Sequence, residues 1–225
     1  MTTEAIRLII VDDDPLVRAG LTLMLGGADD IEIVAEAADG AEVMSLVERA
    51  APDVVLMDIR MPVMDGLTAT EVLRARPGAP EVLVLTTFHA DEQVVRALRA
   101  GAAGFVLKDT PPAEIVAAVR RVAAGDPVLS PAVTRQLMTR VAEEEAVVVS
   151  RGGHAAGRLA ALAEREREVA LAVGQGRSNA EIAASLYMSV PTVKAHVSRI
   201  LAKLGLNNRV QIALLVQDAD RAAPA

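Results

Sequence analysis

Three aspartates, Asp12, Asp13 and Asp14, follow directly on an aliphatic run in LIIVDDDPL. A fourth, Asp58, closes the apolar stretch of VVLMDIRMPVMDG. Thr86 and Thr87 end VLVLTT, and Lys108 ends GFVLK. Neighbouring carboxylates repel, so gathering them at the rim of an apolar core requires a compensating cation. Mg2+ suits such a group: it takes oxygen ligands, uses one or two protein carboxylates, and completes its shell with water and phosphate oxygens. A carboxylate held beside a divalent cation and a lysine can attack a phosphoryl group and carry it as an acyl phosphate. A nearby hydroxyl adds a hydrogen bond to the phosphoryl oxygens. Taken singly, each residue has a plainer reading. A strand-end aspartate is most often a turn or cap residue, Asp14 before Pro15 included. Lys108 alone reads as a solvated lysine and Thr86 as an ordinary strand residue. It is the conjunction that points to chemistry.

That conjunction requires the residues to meet, and the elements around them supply the means. IRLIIV, IEIVAEA, DVVLMD, EVLVLTT and GFVLK read as strands. Between and after them, PLVRAGLTLML, GAEVMSLVERA, DGLTATEVLRA, DEQVVRALRAG and PPAEIVAAVRRVAAG have helical spacing. Gly101 and Gly125 close the last two. Five strand–helix pairs in residues 1–125 predict an α/β domain with a doubly wound, five-stranded parallel sheet. In such sheets the carboxyl ends of all strands share one edge, and ligands bind there.

The rest of the chain is different. Residues 126–157 read as a linker, partly helical: SPAVTRQLMTRVAEEE suits a helix capped by Ser130, and VVVSRGGHAAG loses periodicity. From Arg158 to the end only helices are expected, a small all-α domain over 158–225. That region holds nine Lys/Arg against six Asp/Glu, whereas the other 157 residues hold 14 against 24, so two jobs are implied. Within 176–211, Arg177, Lys194, Arg199, Lys203 and Arg209 face one acid, Glu181. Ser178 with Glu181 forms a capping-box pattern, and Ser189 opens a helix with Thr192, Lys194, His196, Ser198 and Arg199 on its outer side. This suits a helix-turn-helix on duplex DNA, with Lys and Arg on phosphates and short polar groups at base edges. On charge alone, a plain helical bundle with solvated charges stays open. The chain has no cysteine, which excludes disulfides and thiolate sites. It shows no signal-peptide pattern and no apolar run of spanning length, so a cytoplasmic protein without membrane contact is expected.

Residues 6–124, with IIVDDD, VVLMDIRMPVMDG, VLVLTT and GAAGFVLKD, resemble the flavodoxin-like receiver domain of two-component response regulators. LAEREREVALAVGQGRSNAEIAASLYMSVPTVKAHVSRILAKLGLNNRVQIA is similar to the LuxR-type helix-turn-helix, and the whole chain resembles a NarL/FixJ-type regulator. The resemblance implies Asp58 as phosphoacceptor and a sensor histidine kinase as donor. It implies Mg2+ on Asp13, with Asp12 assisting and the Arg60 backbone carbonyl as a further ligand. Thr86 and Lys108 would be the switch hydroxyl and the phosphoryl clamp. Phe105 stands where many receivers carry a rotating Tyr. Val190–Leu204 would be the recognition helix, with Lys194, Ala195 and Ser198 toward the groove, Thr192 near its start, and Arg199, Lys203 and Arg209 on phosphates. A homodimer is implied for the active form. Asp109 and Thr110 replace a common Lys-Pro turn, and Pro191 replaces a usual Gly. Met57, Met61, Met64 and His89 read as packing or loop residues. Two rival readings are a Mg2+-dependent phosphohydrolase and a DNA-binding protein with an inert receiver. The helix-turn-helix opposes the first, and the complete acidic set opposes the second.

Overall fold

The computed structural model describes residues 5–86, 91–129 and 151–222. Thr87, His89 and the helix expected after Ser130 lie outside the described residues. The contacts divide the chain into two units, Met1–Val133 and Thr134–Ala225.

In the first unit the strands are β1 (Ile6–Val11), β2 (Ile31–Ala37), β3 (Val54–Asp58), β4 (Glu81–Thr86), β5 (Gly104–Leu107) and β6 (Val128–Leu129). The helices are α1 (Pro15–Leu25), α2 (Gly40–Ala50), α3 (Gly66–Arg74), α4 (Asp91–Ala100) and α5 (Pro112–Ala123). The sheet is parallel throughout, in the order β2-β1-β3-β4-β5-β6. Every residue of β3 is buried, as a continuous apolar run in mid-sheet should be. One face carries Leu8, Ile10, Leu56, Leu83 and Leu85, packed with Leu21 and Leu25 of α1 and Ile115, Val119 and Val122 of α5. Residues of opposite parity, Ile9, Val55, Met57, Val82 and Val84, are also fully buried, so the sheet is covered on both faces. The order reverses between β1 and β3, which opens a crevice at their carboxyl ends.

The sixth strand was not expected. Val128 pairs with Gly104 and Leu129 with Phe105. Two residues between Pro127 and Ser130 are too few for alternation to reveal a strand. The partner glycine is required, since a Cβ on Gly104 would sit 2.9 Å from the Val128 carbonyl oxygen and 2.8 Å from Leu83 Cδ1.

The second unit contains α6 (Arg151–Ala160), α7 (Glu164–Gly174), α8 (Asn179–Ser185), α9 (Val190–Leu204) and α10 (Arg209–Ala222). Its core joins Ala155 and Leu159 of α6 to Val169 and Val173, Ile182, Val193 and Ile200, and Ile212 and Val216. Four helices were expected from Arg158 onward, and α6 is an addition that begins inside the stretch read as linker. Glycines at 152, 153 and 157 hid it, because the helix is held by packing on α10 rather than by propensity. No described helix is long and apolar enough to cross a membrane.

Candidate functional site

β1 and β3 end side by side and carry Asp12 and Asp58 to the same edge. Asp12 is 1 % exposed and Asp58 6 %. Asp13 is exposed, and one carboxylate oxygen from each of Asp12, Asp13 and Asp58 lies within 4.8 Å of the others. Lys108, just past β5, reaches back with Nζ 2.5 Å from Asp12 Oδ2 and 3.0 Å from Asp58 Oδ1. Its own N–H donates to the Thr86 carbonyl at 2.8 Å, which ties the ends of β4 and β5 together. Thr86 is buried and pairs with Leu107, one register position beyond Leu85, the partner of Asp58. The Arg60 N–H donates to Asp58 Oδ2 at 2.9 Å.

Asp14 takes the cap role: it accepts from the Leu16 N–H at 2.8 Å, while its own N–H donates to Asp12 Oδ1 at 3.0 Å. Phe105 is completely buried and paired with Val84 in the sheet, so in this structure it is a core residue. No peptide bond among the described residues is cis, and after Lys108 the chain turns through a Thr110 N–H to Leu107 carbonyl bond of 3.1 Å.

Burial pushes the Asp58 carboxyl above its usual range, the Lys108 contact pulls it back, and the Asp12 charge pushes it up again. Burial alone would lower Lys108, but hydrogen bonds to Asp12 and Asp58 outweigh it and the ammonium is raised. Three carboxylates against one ammonium leave an excess of negative charge. Asp12 Oδ2 is buried and, beyond its ion pair with Lys108, takes no hydrogen bond. An all-oxygen donor set that gathers three carboxylates within 4.8 Å and carries this excess of negative charge fits a small hard cation.

Glycine makes the geometry after Asp58 accessible. The Gly66 N–H donates to the Ile59 carbonyl at 2.8 Å, and a Cβ on Gly66 would fall 1.8 Å from the Asp58 carbonyl oxygen. Asp65 caps α3 by accepting from the Thr68 N–H at 2.8 Å. Asp39, which no sequence pattern singles out, accepts from Ala41, Val63 and Met64 and so reaches the loop after Asp58.

In the second unit, Ser178 and Glu181 form the expected capping box, and Ser189 caps α9. Val193, Ile200 and Leu204 turn inward from α9. Thr192, Lys194, Ser198, Arg199 and Lys203 are exposed, and Ala195 and His196 are half-buried. Tyr187, in the turn between α8 and α9, has φ of 54° and is exposed. Two basic residues differ from expectation. Arg209 is buried, and its guanidinium donates to Asn179 Oδ1 and to the Arg177 carbonyl, so it pins α8 to α10 rather than facing a phosphate. Lys203 Nζ bonds Glu166 Oε2 at 2.7 Å. Glu166 is buried, also accepts from the Ala163 N–H, and is held below the usual carboxylate range by Lys203 first and that N–H second.

Residues 8–120 match the family of response regulator receiver domains, and residues 160–216 match the bacterial regulatory proteins of the luxR family. The transcriptional regulatory protein LiaR of Bacillus subtilis is 35% identical over 209 residues, covering 93% of this chain and 95% of that one. The response regulator protein VraR of Staphylococcus aureus is 36% identical over 206 residues, covering 92% and 93%. Among solved structures, the response regulator ChrA of a heme-sensing two-component system has 37% identity and a TM-score of 0.53, covering 98% of this chain and 100% of that one. With a receiver domain in front and a luxR-family domain behind, matched end to end by named regulators, the chain belongs to the LuxR-type two-component response regulators, phosphorylation-controlled DNA-binding regulators of transcription.

Proposed function

We propose that Asp58 is the phosphoacceptor and that a sensor histidine kinase supplies the phosphoryl group. The observation that carries this reading is Lys108 Nζ set between Asp12 and Asp58, with Asp13 alongside. A carboxylate oxygen of Asp58 forms the new O–P bond as the N–P bond to the kinase histidine breaks, and the leaving nitrogen keeps the electron pair. Lys108 offsets charge on the phosphoryl oxygens, and the Thr86 hydroxyl supplies a further donor once the β4 end adjusts. Asp12, Asp13, Asp58 and the Arg60 carbonyl would hold Mg2+, which when bound neutralises the equatorial oxygens of the transferring group. Arg60 keeps Asp58 oriented through its N–H.

Adjustment of Thr86, Lys108 and neighbouring Phe105 then links the acyl phosphate to the output unit. That unit reads duplex DNA with Lys194, Ala195 and Ser198 of α9 at the groove and Thr192 and Arg199 beside them, as a homodimer in the active form. Lys203 is retained as a phosphate contact only by exchanging Glu166 for DNA. The receiver extends through β6, the DNA-binding domain begins with α6, and residues 130–150 connect them. The protein acts in the cytoplasm and is not an enzyme, since a luxR-family unit rather than a substrate cap follows the acidic site.

The test uses a small phosphodonor. With Mg2+ the full-length chain takes up one acid-stable, base-labile phosphoryl group, Asp58→Asn abolishes it, and EDTA blocks it. Equal labelling of the Asn variant overturns the assignment.

A further inference from the structure

The loop from Ile59 to Asp65 carries Arg60 and frames one side of the acidic site. It belongs to neither helix nor strand, and Val63 in its middle is 81% exposed. Its first half is tied to Asp58 through the Arg60 N–H, and its ends are drawn together by the Gly66 N–H to Ile59 carbonyl bond. The middle is held from elsewhere. Asp39, between β2 and α2, accepts the Ala41 N–H on Oδ1 at 2.9 Å, the Met64 N–H on Oδ1 at 3.1 Å and the Val63 N–H on Oδ2 at 2.8 Å. Capping a helix uses one acceptor. Here Oδ2 accepts from a residue 24 positions away and Oδ1 is shared with one 25 positions away. Gly40 is shaped to the same loop, for a Cβ there would lie 2.6 Å from the Met64 carbonyl oxygen and 3.0 Å from Ala69 Cβ. The Asp39 side is buried, so no water substitutes easily for its oxygens. Bonds from the Ala41 and Val63 N–H groups, in that order, hold the carboxyl below its usual range. It remains an acceptor on both oxygens at neutral pH.

We infer that Asp39 is a positioning residue for phosphoryl transfer: through Val63 and Met64 it fixes the loop on which Arg60 and one wall of the cation site are built. It touches neither Asp58 nor the phosphoryl group and acts only through that loop. The inference rests on the reading of Asp58 and Mg2+ given above.

Two variants of the full-length protein separate this role from capping. Asp39→Asn keeps one carbonyl oxygen, and Asn caps helices as well as Asp. It sets an amide donor against one of the remaining N–H groups. Gly40→Ala pushes on the Met64 carbonyl with Asp39 intact, and replaces a poor helix former by a good one. The first readout is amide hydrogen exchange in metal-free protein. Faster exchange at Val63 and Met64, with the α2 interior unchanged, is expected in both variants. The second is the Mg2+ dependence of phosphorylation by a small phosphodonor. Half-saturating Mg2+ should rise about tenfold, the lower end for lost outer-shell support, with the urea midpoint close to wild type. If both variants keep wild-type Mg2+ dependence and rate, Asp39 is a cap and the inference is overturned, whatever the exchange shows. Unchanged exchange at Val63 and Met64 overturns it equally. Should Asp39→Asn fail to fold, Gly40→Ala decides alone. A wild-type chain that takes up no phosphoryl group defeats the reading of Asp58 itself, which normal wild-type labelling with unaltered variants does not.

Discussion

A backbone carbonyl and a missing Cβ decide how the acidic site is built. Gly66 opens α3 with no side chain because the Asp58 carbonyl oxygen occupies the place a Cβ would take, 1.8 Å away. Gly66→Ala forces β3 and α3 apart where both are buried, and overpacking of this kind costs about 1–3 kcal/mol. Equilibrium urea unfolding should show that loss in the receiver, together with slower phosphorylation, because the shift is imposed on Asp58, the residue proposed to accept the phosphoryl group. Wild-type stability would mean the chain relaxes at no cost and that the close approach is not a constraint. Asp12, Asp58, Thr86 and Lys108 were legible in the sequence because each ends an apolar strand, and a parallel sheet brings strand ends together whatever their separation along the chain. Asp39 was not legible. Before a glycine and a helix it reads as an ordinary cap, and nothing local announces that its second oxygen holds Val63. Phe105 was legible as a large apolar strand residue, and its complete burial adds what a sequence cannot state.

Element by element, legibility followed length and periodicity. Five strands and five helices of the receiver carry enough residues to show their period. β6 has two residues and exists because Gly104 leaves room for it. α6 is masked by glycine and exists because α10 receives it. Arg209 is the clearest case of context overriding type. A basic residue at the start of α10 invites a phosphate, yet folding turns its guanidinium onto Asn179 and Arg177, joining the first helix of the helix-turn-helix to α10. Arg209→Ala should therefore cost about 1–3 kcal/mol of unfolding free energy, the usual range for removing a buried charged donor. At temperatures where the variant stays folded, the salt dependence of its DNA affinity should match wild type. A salt slope reduced by about one at unchanged stability would return Arg209 to the phosphate-contact set.

At the scale of the whole chain, the charge asymmetry that suggested two jobs is divided between two units, each with its own core. The acidic unit gathers carboxylates at one sheet edge, and the basic unit exposes Thr192, Lys194, Ser198, Arg199 and Lys203 along one helix. A fragment for testing the output unit must begin at residue 151, because a start at Arg158 cuts through α6 and exposes the core that Ala155 and Leu159 help to fill. The full chain after phosphorylation, and this fragment, should bind duplex DNA with affinity falling steeply as salt rises. Arg199→Ala should weaken binding about equally on all sequences and reduce the salt slope by about one. Lys194→Ala should also alter the preferred sequence, at roughly 1–3 kcal/mol, if its ammonium reads a base edge. Lys203→Ala is a poorer probe, since it also strips Glu166 of its partner and mixes stability with binding. A dimer should favour two half-sites spaced by about one helical turn or a multiple. Binding selections with wild type, Arg199→Ala and Lys194→Ala decide between these roles. An unchanged preference with Lys194→Ala makes that residue a phosphate contact and moves sequence reading to Thr192 and Ser198. Failure of both full chain and fragment to bind duplex DNA at low salt would leave α9 without its assigned partner.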